Sequence, residues 1–535
     1  MKSGETEKKV GTRAVDAVAQ ALRHQTEFHG DPNRSGSERA QISFPHHNFR
    51  LKCGKVATLN AEQRAAVGVV ASMLNGETRG PANEVPRSVL FLLGGAGTGK
   101  SGVIRFLTQQ LDTLAMTMAP TGIAATVIDC TTIHAALSIP IGTKEDGDLD
   151  PGKVKALSSD VVLMLQPRFV GKRLLIIDEI SMVSREILEI IDIRLRQILG
   201  QNEYMGGMIL LAVGDFHQLK PSGGTPLTAI SGPGKRILEN TFKRAHIFEL
   251  REQMRAPSDA LFCEILDLMR TNPKEGMKKF LANVKVLTAA DRSNFQKSLT
   301  IVCSNVERYH LNVAGIRRFA VAEKQVVYAW SMDAQKPHTV DDGPGLFSLF
   351  VKGGPAYVNE NIAPLSRKIA NGTLVRYHSL VLGGCGDYYE EGGIRYLREP
   401  PKFVVVSRDH ETFPVKKKQF PRKNHQGHFQ VEPGHAFTFH KVQGVTCEEG
   451  VVLDLNKRPP AAGHKLYHLS LQGVYVAMSR VRRLEDLRVM PWGFAGTDHL
   501  LQLAKRVKFP AMQWGHVLSS EIMYTWLLVR FDARG

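Results

Sequence analysis

"FLLGGAGTGKSGVIRFL" (Phe91–Leu107) joins a short apolar run, a cluster of glycines, a Lys-Ser pair and an amphipathic run. Residues 88–93, "SVLFLL", read as a buried strand, and Val103, Ile104, Leu107 and Leu111 fall on one helical face. Between them "GGAGTGKS" (94–101) fits G-x-x-x-x-G-K-[ST]. Glycines let backbone N–H groups close around phosphates, and the helix that follows turns its positive N-terminus toward them. Gly94, Gly95, Ala96, Gly97, Thr98, Gly99, Lys100 and Ser101 are therefore the candidate nucleotide-binding residues. Lys100 would reach the β- and γ-phosphates, and the Ser101 hydroxyl would ligate magnesium. The pattern points to a P-loop NTPase and to nothing finer.

A second all-apolar strand, Leu174 to Ile177, ends in Asp178-Glu179. A carboxylate at the C-terminal end of a parallel strand sits where such sheets bind ligands. Asp178 would hold magnesium through water, and Glu179 would orient or deprotonate the attacking water. A third strand, in "MILLAVGDFHQLKP" (208–221), ends in Gly214-Asp215, with Gln218 three residues on. Gln218 is neutral, so it can donate to a γ-phosphate or position a water, which suits a sensor of hydrolysis.

The whole chain bounds what such a site can serve. Its 535 residues imply roughly three or four domains. The 43% hydrophobic and 23% charged fractions are those of an ordinary globular protein. A net charge of +17 favours a polyanionic partner, nucleic acid or an anionic membrane surface. No window approaches the ~18 consecutive apolar residues of a spanning helix, which argues against the membrane. The six cysteines are scattered without a C-x-x-C pair, against both a zinc ribbon and a disulfide framework and in favour of a reducing compartment. "MKSGETEKKVGTR" lacks a signal-peptide core, and Glu5 and Glu7 are unlike an acid-poor transit peptide. An intracellular protein is expected, nuclear in preference to mitochondrial.

Beyond the three blocks above, "LNAEQ" (59–63), "APTGIAA" (119–125), "TTIH" (131–134), "LREQMR" (250–255), "HKVQGVT" (440–446) and "VYVAMSR" (474–480) follow in a fixed order. Order and wording resemble the Pif-type DNA helicases of helicase superfamily one, subclass B, from about residue 57 to 490. "ILEIIDIRLRQI", after "DEISMV", is similar to the stretch that separates this family from its relatives. The resemblance implies an α/β fold: two RecA-like P-loop NTPase domains in tandem, with ATP between them. It implies a small wedge insertion in the first domain and a small β-barrel insertion in the second. It gives Gln63 the adenine contact, and Arg255 and Arg480 the γ-phosphate, both from the second domain. A planar cation supplied there stabilises transition-state charge, worth on the order of 10³ or more in rate. Thr121, His134, His440 and Lys441 become candidate contacts to single-stranded DNA, gripping phosphates without reading sequence. Movement 5′ to 3′ is implied by the resemblance alone.

The expected layout is a flexible basic arm over 1–54, a first RecA-like domain over 55–246 with its wedge at about 138–172, and a second over 247–535 with its barrel at about 376–432. The barrel segment carries "VKKKQFPRK", five basic residues in nine positions. "LLQLAKRVKF" and "SSEIMYTWLLVRF" read as C-terminal helices. His435 and Phe439 stand where small or aliphatic residues are commoner in the family. The function implied is an ATP-dependent DNA helicase, a DNA-dependent ATP hydrolase of replication, repair or recombination. It would use ATP and Mg2+, act on single-stranded and tailed duplex DNA, and be a monomer. Three other readings stay open: a translocase that opens duplex poorly, a nucleic-acid-binding module without hydrolysis, and an RNA-directed enzyme.

Overall fold

The computed structural model describes residues 59–74, 88–140, 151–229, 232–256, 258–292, 295, 297–331, 339–340, 347–360, 369, 371–383, 386–418, 428–456, 469–493 and 496–506. The basic arm, the "SSEIMYTWLLVRF" helix and most of "FPRKNHQGHF" lie outside them. So do 141–150 of the expected wedge.

The described residues fall into two compact units, one holding those up to 120 and from 130 to 256, the other those from 121 to 129 and from 258 to 506. The first is built on α1 (Ala61–Leu74), β1 (Val89–Gly94), α2 (Lys100–Gln110), β2 (Ala115–Ala119), then α3 (Gly122–Val127), which groups with the second unit, β3 (Thr131–Thr132) and α4 (Ile133–Ala136). It continues with α5 (Ser159–Phe169), β4 (Leu174–Ile177), α6 (Arg185–Leu199), β5 (Ile209–Gly214), α7 (Lys235–Lys243) and β6 (Ala245–Leu250). The strands form one parallel sheet in the order β3-β2-β4-β5-β1-β6. β1 and β4 are continuous apolar runs because both faces of a parallel sheet are covered by helices. On one of those faces Leu188, Ile191, Leu195 and Ile198 of α6 pack with Leu175, Ile177 and Leu210 of the sheet.

β6 departs from the expected boundary at 246/247. It pairs with β1 from Val89↔Ala245 to Gly94↔Leu250, so the first sheet runs through Leu250. In the wedge segment, a short turn at Pro151–Lys153 precedes α5. Leu165 and Phe169 anchor that helix in the core, whereas Leu163 and Met164 are 65% and 56% exposed.

The second unit starts with α8 (Ala260–Thr271), α9 (Pro273–Asn283), β7 (Lys285–Val286), β8 (Leu299–Val302) and α10 (Asn305–Ala322). An all-β insertion follows: β9 (Val327–Ser331), β10 (Phe347–Val351), β11 (Pro355–Val358), β12 (Leu374–Val381), β13 (Tyr388–Glu391), β14 (Ile394–Leu397), β15 (Phe403–Arg408), β16 (Glu411–Lys418), β17 (His428–Phe429) and β18 (Val431–Pro433). The chain then returns through β19 (Ala436–Thr438), β20 (Val451–Leu453), α11 (Leu471–Met478), β21 (Leu487–Val489) and α12 (Asp498–Arg506). β19-β8-β20-β21-β7 is a second fully parallel sheet. The insertion comprises a four-stranded sheet, β10-β9-β14-β13, and a six-stranded one, β17-β16-β15-β12-β11-β18. Trp330 and Phe350 of the smaller sheet share a core with Val375, Val404, Val406 and Val415 of the larger. The insertion therefore begins near Val327, about fifty residues before the expected 376. "VVYAWS" is a strand by composition, and composition does not say which sheet it joins.

Both unusual bulky residues are housed by glycines. A β-carbon at Gly315 would lie 2.5 Å from the His435 ring, and one at Gly473 would lie 3.2 Å from the Phe439 ring. Burial, with Arg318 nearby, lowers the His435 imidazole to about 4, so it packs as a neutral ring.

Candidate nucleotide site and strand-facing segments

β1, β2, β4, β5 and β6 run parallel, so the loops that follow them leave the sheet on one side. Those loops carry the phosphate loop, Thr121, Asp178-Glu179, Asp215–Gln218 and Gln253–Arg255. The C-terminal edge of a parallel sheet is the ligand-binding edge of open α/β folds.

The phosphate loop turns through Gly97 (φ 88°) and Gly99 (φ 82°), a left-handed backbone that favours glycine. It is also closely hemmed in. Gln253 Nε2 donates to the Ala96 carbonyl at 2.8 Å, and the backbone N–H groups of Met254 and Arg255 donate to the Gly97 carbonyl at 2.8 and 3.1 Å. Arg255 is thus held against the phosphate loop by the first unit's own chain and does not arrive from the second. That correction has the same cause as β6: the strand that feeds Arg255 lies beside β1. Lys100 Nζ donates to the carbonyls of Gly94 and Gly95 at 2.8 and 2.9 Å, curled over the loop it serves.

Gln63 is buried. Its Oε1 accepts from the Asn60 N–H at 3.0 Å while its own N–H donates to Asn60 Oδ1 at 2.8 Å, a reciprocal cap on α1. Its Nε2 donates to the Thr98 carbonyl at 3.2 Å. The amide of the expected adenine contact is therefore held at both ends, by Asn60 at its oxygen and by the phosphate loop at its nitrogen.

Asp178 is 7% exposed and accepts the Glu179 N–H at 2.9 Å. Burial first, and the Glu179 carboxylate second, push its carboxyl up to about 7, against the pull of that N–H, Lys100 and Arg105. A buried carboxylate penalised in this way fits a divalent cation, whose charge favours the ionised form. Ser101, in the first turn of α2, offers the hydroxyl that such an ion takes. Glu179 itself has φ 50° and ψ 45°, left-handed backbone that costs a residue with a β-carbon about 1–2 kcal/mol. Gln218 is buried; its Nε2 reaches Asp215 Oδ2 at 3.4 Å and its Oε1 has no partner among the described residues. The loop beyond it is tied down by residues with no expected role. Buried Arg185 donates to the carbonyls of Ala229, Gly232 and Pro233, and Glu186 accepts the Thr225 N–H at 2.8 Å.

In the second unit Arg480 is only 3% exposed. Its guanidinium donates to the carbonyls of Val476, Val442 and Val445 at 2.7, 3.4 and 3.2 Å. The expected γ-phosphate ligand is turned into its own unit, onto the "HKVQGVT" segment. Thr121 caps α3, its hydroxyl accepting the Ala124 N–H at 3.3 Å. Ile123 of α3 rests on Gly372 (φ 91°) and faces Gly444 (φ 83°), where β-carbons would lie 2.0 and 3.5 Å from its side chain. Thr121 and the His440-Lys441 segment are thereby brought into one neighbourhood. His440 is exposed and Lys441 half-buried. His134, half-buried on α4, belongs to the first unit, and burial lowers its imidazole.

Residues 58–262 match the PIF1-like helicase family model. Among curated proteins, the chain is 38% identical to the ATP-dependent DNA helicase RRM3 of Saccharomyces cerevisiae over 141 residues, 25% of this chain and 18% of that protein. It is 26% identical to human ATP-dependent DNA helicase PIF1 over 444 residues, 80% of this chain and 60% of that protein. The chain thus spans less than two thirds of these relatives. Among solved structures, a Bacteroides Pif1 helicase in complex with ADP-AlF3 and single-stranded DNA aligns with a TM-score of 0.57 at 20% identity, covering 86% of this chain and 98% of that one. In motif order this chain resembles the Pif-type ATP-dependent DNA helicases, and it shares their fold of two RecA-like domains.

Proposed function

We propose that the chain is an ATP-dependent DNA helicase that moves 5′ to 3′ along single-stranded DNA and opens duplex. The observation that supports this most is the set of motif loops leaving one edge of one parallel sheet, with Lys100, Asp178, Glu179 and Gln218 among them. In this reading Lys100 neutralises the β- and γ-phosphates, Gln63 and the Gln253–Arg255 segment shape the loop that holds them, and Glu179 orients the attacking water. Ser101 and Asp178 would hold Mg2+, which when bound supplies charge neutralisation at the phosphates. Arg480 would meet the γ-phosphate after leaving its three carbonyl partners. Thr121, His134, His440 and Lys441 would grip the strand. The exposed apolar Leu163 and Met164 on α5 suit contact with unpaired bases at a fork. The protein would work as a monomer inside the cell, on tailed duplexes.

Steady-state ATP hydrolysis with and without single-stranded DNA, with Lys100→Ala and Arg480→Ala beside the parent, tests the motor. Strand-stimulated hydrolysis lost in both variants is expected, with strand binding retained in Lys100→Ala. An inactive parent that still binds the strand would instead identify a binding module. A 5′-tailed duplex against a 3′-tailed one then tests polarity, and hydrolysis without strand separation would leave a translocase.

A further inference from the structure

Lys441 Nζ donates to the hydroxyl of Tyr357 at 2.7 Å and lies 4.2 Å from the centre of that ring. The same hydroxyl meets Glu432, and Glu432 in turn pairs with Arg308 and accepts Asn359 Nδ2 at 2.9 Å. Four elements converge here: α10 brings Arg308, β11 brings Tyr357, β18 brings Glu432, and the turn after β19 brings Lys441. Two belong to the second parallel-sheet domain and two to the all-β insertion.

The distribution of charge is uneven. Arg308, Tyr357 and Asn359 donate to Glu432, and Arg308 neutralises it. The cluster holds two cations and one carboxylate, so one positive charge is left over, and it resides on Lys441. An ammonium has three donors, and the Tyr357 hydroxyl takes one, leaving two for an incoming anion. Beside it, His440 is exposed.

We propose that Tyr357, fixed by Glu432 and Arg308, is a positioning residue that presents the Lys441 ammonium to a backbone phosphate of the bound strand. The inference rests on reading Lys441 as a strand contact. It gives the β insertion a share in the grip, because two of the three residues that aim the ammonium, Tyr357 and Glu432, come from it. Tyr357 touches no phosphate itself; it restricts where Nζ stands, and Arg308 keeps Glu432 from capturing Lys441.

The test is a double-mutant cycle on single-stranded DNA affinity across a salt series, using the full chain. Lys441→Ala is expected to lose about fivefold in affinity at 0.1 M salt and to reduce the log–log salt slope by about 0.7, one phosphate contact. Tyr357→Phe and, independently, Arg308→Met are each expected to approach that loss alone and to add nothing in the Lys441→Ala background. A merely structural role would lower melting temperature while leaving the slope alone, or would weaken binding equally in both backgrounds. Either result overturns the proposal. If Lys441→Ala itself binds as the parent does, the strand-contact reading falls with it. Loss in Lys441→Ala without loss in Tyr357→Phe and Arg308→Met overturns only the positioning.

Discussion

A β-carbon at Gly99 would stand 2.3 Å from the side-chain nitrogen of Gln63, so α1 and the phosphate loop are fitted to each other at a glycine. The same residue has φ 82°, a conformation that resists any side chain.

Gly99→Ala is therefore expected to distort the nucleotide cradle by clash and by about 1–2 kcal/mol of backbone strain. ATP hydrolysis should fall at least tenfold while strand affinity stays within twofold, measured on the same preparation. Loss of strand binding to the same degree would mean that the substitution unfolds the first unit.

Arg480→Lys keeps the charge but cannot span the carbonyls of Val476, Val442 and Val445. Hydrogen bonds from a charged group are worth about 1.5–3 kcal/mol, so urea unfolding should register a loss of roughly 2 kcal/mol. Hydrolysis should fall by about 10³, since a lysine lacks the planar fork. Unchanged stability would show that the carbonyl contacts add nothing.

Burial lowers the Lys441 ammonium to about 8 against the pull of Glu432, with Arg308 lowering it further. In the free protein the charge is lost as pH rises through that value. Strand affinity should accordingly drop between pH 7 and 9.5, by up to about fivefold at 0.1 M salt. Lys441→Ala should remove this step; a step of the same size in that variant would assign it to another group.

Glu432 behaves in the opposite sense. Burial would raise it, but Arg308, Lys441 and its hydrogen bonds hold the carboxyl down at about 2, below its ordinary 4.5. A carboxyl depressed in the folded state contributes stability that is complete above the unfolded value and disappears as pH falls toward the folded one. Between pH 5 and 2 the parent should lose stability more steeply than Glu432→Gln, by chemical denaturation at each pH. Parallel curves would mean that Glu432 is not held in its charged form.

The strands and loops of the candidate nucleotide site were largely legible because each part is local. β1 and the phosphate loop, β4 and Asp178, β5 and Gln218 are each a strand followed within four residues by its chemistry. The place of Arg255 was not, since "AHIFEL" reads as a strand whichever sheet it joins and only pairing with β1 decides. The charge cluster left no trace in the sequence at all. Tyr357 stands 49 residues from Arg308, and Glu432 stands 75 from Tyr357, with no spacing to relate them. Lys441 could be named as a candidate contact from its motif, but its partner Tyr357 could not. His435 looked out of place until Gly315, far upstream, proved to be the space that admits it.

The left-handed backbone at Glu179 makes that position a conflict between folding and chemistry. A glycine there would relax the chain by about 1 kcal/mol, so a screen for thermal resistance alone would favour Glu179→Gly. The variant selected would be sturdier yet would lack the carboxylate proposed to orient the attacking water. Under the proposed function it is the form to crystallise with intact ATP, and a warning against engineering this chain on melting temperature alone.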